Sequence, residues 1–90
     1  MPKPSFDEIR SRVANVVAAP LNVLPIEIHD NDLLRDDLGY SDSGLAALTP
    51  DINDEFFVGT TGLSTKQVTE CLKVIGISAK VDQQPVANFK

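Results

Sequence analysis

The chain has 90 residues, a net charge of −5, 42% apolar and 23% charged residues. That is one small soluble-type domain with a modest core. The acidic balance argues against nucleic acid as a partner. The apolar runs are too short to span a bilayer, no apolar signal core follows the N-terminus, and the expected compartment is the cytoplasm. One cysteine, Cys71, excludes an internal disulfide, and the lone His29 has no ligand partner at helical spacing.

Ser5-Phe6-Asp7-Glu8 reads as a capping box, with the Ser5 hydroxyl and the Glu8 carboxylate each satisfying a backbone N–H of the other. Ile9, Val13, Val16 and Val17 then share one helical face. Pro20 predicts an end near Ala18 or Ala19, so the first helix covers about 6–19. Leu21 to Leu38 shows no sustained period. Leu21, Val23, Ile26 and Ile28 are expected to anchor this long loop, Asp30-Asn31-Asp32 suggests a capped turn, and Leu33, Leu34 and Leu38 supply packing.

Gly39 permits a tight turn, and Ser41 is a good N-cap followed by Asp42 at the positive end of a helix dipole. Pro50 would cost ~3 kcal/mol inside a helix, and Thr49-Pro50-Asp51 reads as a fresh start. Two pieces are therefore predicted, 42–48 and 50–57, kinked or broken at Thr49, with Ile52, Phe56 and Phe57 directed inward. Residues 58–62 read as a loop. Ser64 to Gln67 form a second capping box, with Leu63 and Val68 as its staple. Val68, Cys71, Leu72 and Ile75 form an inner face, Gly76 is a stop, and Cys71 reads as a buried structural thiol. Ile77 to Val81 alternates, as a short strand or a surface segment would. Residues 1–5 and 83–90 read as loose ends of a single domain spanning 1–90.

The stretch from Ile9 to Phe57 resembles the acyl carrier protein family without a gap. Asp37-Leu38-Gly39 matches the Asp-Leu-Gly before the carrier serine. Leu48, Ile52 and Phe56 match the apolar positions of the second helix, and Asp54-Glu55-Phe56 its ending. The resemblance implies an all-α fold, a small bundle of three to four helices with a long loop between the first two. In this register Asp42 stands where the family has its serine and Ser41 where it has the preceding aspartate. An aspartate cannot accept a phosphopantetheine arm, because transfer needs a hydroxyl to attack the pyrophosphate of coenzyme A. Asp42-Ser43 restores the Asp-Ser order one residue late, with Gly44 where the family has Leu.

Two readings follow from the resemblance. In the first, Ser43 carries 4'-phosphopantetheine, with Ser41 as the second choice. The protein is then a monomeric carrier for a thioester-linked acyl group in fatty-acid, lipid or polyketide-type synthesis. Its partners are acyl-transfer or synthase enzymes and a phosphopantetheinyl transferase, docked by basic patches on Asp42, Asp51, Asp54 and Glu55. In the second, the chain is an unmodified, carrier-like interaction module with an acidic docking face. An enzyme is not expected: no Ser/His/Asp spacing, metal cluster or phosphate-cradling glycine loop is present.

Overall fold

In the computed structural model, which describes residues 3–90, four α-helices follow in order: α1 Phe6–Leu21, α2 Asp42–Phe56, α3 Thr65–Thr69 and α4 Val74–Asp82. Short 3-10 turns lie at Pro25–Glu27 and Val86–Asn88. Among the described residues there is no strand, only isolated bridges at Leu33–Lys73 and Phe57–Phe89. The fold is a small all-α bundle with a long connection between α1 and α2. α1 packs on α4 and α2, and α2 packs on α3.

The apolar periodicity builds the core as expected. Ile9, Val13 and Val17 of α1 meet Leu45, Leu48, Ile52 and Phe56 of α2, with Val68, Val74, Ile77 and Val81 beyond them; all are buried. Each such side chain contributes roughly 1.5–3 kcal/mol by leaving water. The Ser5 hydroxyl accepts from the Glu8 N–H at 3.1 Å, but the other half of that box goes elsewhere, because Glu8 pairs with Arg12 at 3.1 Å. The Ser64–Gln67 box forms in both directions, at 3.2 and 2.8 Å.

Several expectations are corrected. α1 does not stop before Pro20. It runs to Leu21 and ends on Asn22, whose left-handed backbone (φ 57°) lets its N–H reach the carbonyls of Ala18 and Ala19. A proline in the last turn removes only one helical hydrogen bond, and a left-handed cap supplies others. α2 is not broken at Thr49: it runs from Asp42 to Phe56 with Pro50 inside. Pro50 lies on the exposed side, while Leu48, Ile52 and Phe56 hold both halves against the core.

The helix expected from Ser64 to Gly76 is divided. α3 closes at Thr69, and α4 starts at Val74 with Gly76 inside it. Leu72 falls in the break and is 74% exposed instead of inward. The segment Ile77–Val81 belongs to α4 and is neither strand nor surface strip. The break has backbone partners across the fold: the Leu34 N–H donates to Leu72 O at 2.9 Å and the Val74 N–H to Asp32 O at 3.1 Å.

Residues 83–90 are not loose throughout. Phe89 is buried, its ring centroid 4.9 Å from that of Phe57. The Val58 N–H donates to Asn88 O and the Lys90 N–H to Phe56 O. At the other end, Lys3 pairs with Asp82 at 2.9 Å. The expectation of a loose N-terminus also covers residues 1 and 2, which lie outside the described residues. In the long connection Ile28 and Leu34 are buried, whereas Val23 and Ile26 are exposed.

Candidate functional site

The segment from Leu34 to Gly44 is held in place by groups distant in sequence. Gly39 takes φ +80°, which lets the chain turn without a Cβ clash. Tyr40 follows, buried, with its N–H donating to Leu34 O at 2.9 Å and its hydroxyl to Val17 O of α1 at 2.7 Å. Burial first, and the carboxylate of Asp51 second, push the phenol up to about 12. A Cβ added at Gly44 would lie 3.1 Å from the Tyr40 ring. Gly44 therefore gives the ring room.

Ser41 caps α2: its hydroxyl accepts from the Gly44 N–H at 3.1 Å. Ser43 is exposed in the first turn, and its Oγ lies 3.1 Å from Ser41 Oγ. Ser41 is thus committed to the backbone, whereas Ser43 is a hydroxyl with no backbone duty. Asp42 pairs with Arg35, which also donates to Thr69 O at 3.1 Å. One guanidinium so links the connection, the start of α2 and the end of α3. Among the described residues the Ser41 hydroxyl is the one side-chain group hydrogen-bonded to Ser43 Oγ.

The four docking candidates are not equivalent. Asp51 and Asp54 are exposed, and no side-chain partner engages either carboxylate among the described residues. Asp42 is paired with Arg35. Glu55 receives Arg12 Nε at 2.7 Å, and the same guanidinium donates to Glu55 O and lies 4.5 Å from the Phe56 ring centroid. Other acids of the middle region serve the loop. Glu27 accepts from the Leu24 N–H, Asp32 from the His29 N–H, and Asp37 from the Leu33 N–H. Asp30 lies 3.0 Å from Arg10. Of the nine acids between 27 and 55, only Asp36, Asp51 and Asp54 remain without a partner among the described residues.

Cys71 is buried, its thiol donating to Gln67 O at 3.3 Å. Burial pushes that thiol up, against a smaller downward pull from Lys80. This is the environment of an inert thiol. Among the described residues no cluster of His, Cys, Asp and Glu is placed to hold a metal ion. Sequence reasoning missed Tyr40, Arg35 and Thr69. A signal for Tyr40 was present: it precedes the N-cap and Leu45 sits at the fourth helical position, the two places of a hydrophobic staple. Nothing local announces Thr69, whose part is a backbone carbonyl.

No known family, curated protein or solved structure matches this chain.

Proposed function

We propose that this protein is a carrier-type module whose Ser43 accepts a 4'-phosphopantetheine arm. The observation that supports it most is the division of labour at the start of α2. Both serines are exposed, but Ser41 caps the helix, so Ser43, next to Asp42, is the hydroxyl there that accepts no backbone N–H. In the transfer, Ser43 Oγ would form a bond to the phosphorus of coenzyme A bearing the pantetheine. The pyrophosphate bridge breaks, the nucleotide phosphate leaves, and the hydroxyl proton passes to a base of the transferase. The arm's thiol would then carry an acyl group as a thioester. Partner enzymes with basic patches would dock on Asp51 and Asp54, and the protein would catalyse nothing itself.

A second reading, an unmodified interaction module, is favoured by one observation. Asp42 stands at the in-register serine position and is held there by Arg35.

The deciding experiment is intact mass after incubation with coenzyme A and a broad-specificity phosphopantetheinyl transferase, followed by peptide mapping. One arm mapped to Ser43, lost in Ser43→Ala and kept in Ser41→Ala, is the expected result. No addition beside a modified positive control would favour the unmodified module.

A further inference from the structure

We draw no further inference here: the strongest candidate, the segment Val86–Lys90 laid on the end of α2 through the Phe89–Phe57 contact and the backbone bonds of Val58 and Lys90, belongs to the packing already described, and nothing in the structure shows it released or shows what would take its place.

Discussion

At the scale of single residues, the start of α2 separates structure from chemistry in neighbouring side chains. Ser41→Ala removes the N-cap and should lower stability by ~1 kcal/mol in a denaturant titration. Ser43→Ala removes an exposed hydroxyl and should stay within about 0.5 kcal/mol of the parent. If both cost the same, the division of roles is mistaken. Tyr40 is the opposite case, a polar group inside. Tyr40→Phe removes the hydrogen bond from the phenol to the Val17 carbonyl and should cost about 1 kcal/mol. The pH dependence has a definite sign. The folded state holds the phenolic proton more tightly, so this contribution is complete below pH 10 and falls away as pH rises toward about 12. Stability measured across that window should decline less steeply in Tyr40→Phe; equal slopes would refute the assignment. Ser43, Asp51 and Asp54 were legible as exposed polar residues because their surroundings are set by one helix. Glu55 was not, because its partner, Arg12, lies 43 residues away in the chain.

At the scale of elements, α2 shows how burial overrides a local rule. Pro50 forfeits a bond to the Ala46 carbonyl, yet Leu45, Leu48, Ile52 and Phe56 are buried on one stripe across it. A proline interior to a helix is ~3 kcal/mol less favourable than alanine, while one buried aliphatic contributes a comparable amount. Pro50→Ala should therefore raise the unfolding midpoint with the helix in place, part of the gain being offset by a freer unfolded chain. The loop between α2 and α3 depends on Gly62, at φ +115°. A Cβ there would approach Asn53 Oδ1 to 2.4 Å and the Phe57 ring to 2.6 Å. Asn53 cannot yield easily, since it clamps Leu63 by two hydrogen bonds of 2.9 Å each. Gly62→Ala should cost about 2 kcal/mol or more, read by thermal melting, and Gly59→Ala, with open space around its Cα, less. Helix positions were readable from periodicity and caps. The division between α3 and α4 was not, because it follows from backbone bonds to Asp32 and Leu34 that no local pattern contains.

At the scale of the whole molecule, both ends of the described chain are tied down. Lys3 reaches Asp82, and Phe89 returns to Phe57 at the end of α2. A 90-residue domain has a narrow margin, so an aromatic plug of this kind matters. Phe89→Ala should cost about 3 kcal/mol, visible as a lower midpoint with local loss of amide protection at Phe57 and Val58. A midpoint unchanged by the substitution would mean the tail is only laid on the surface. This docking was illegible in the sequence, because a single Phe after Gln84-Pro85 has no periodic neighbours to signal burial. The acidic middle was legible as composition but not as a surface, since most of its carboxylates turn back onto Arg10, Arg12, Arg35 or loop N–H groups.

The placement of Tyr40 has one more consequence. The protein has no tryptophan and one tyrosine, and that tyrosine lies under the first turn of α2, beside Gly44 and hydrogen-bonded to α1. Excited at wavelengths that the four phenylalanines do not absorb, the chain therefore emits from one ring at the candidate site. Attachment at Ser43, a partner seated on α2, or a loosening of α2 from α1 would each change the surroundings of that ring. The unlabelled protein thus carries its own optical gauge at the position where its function is proposed to begin.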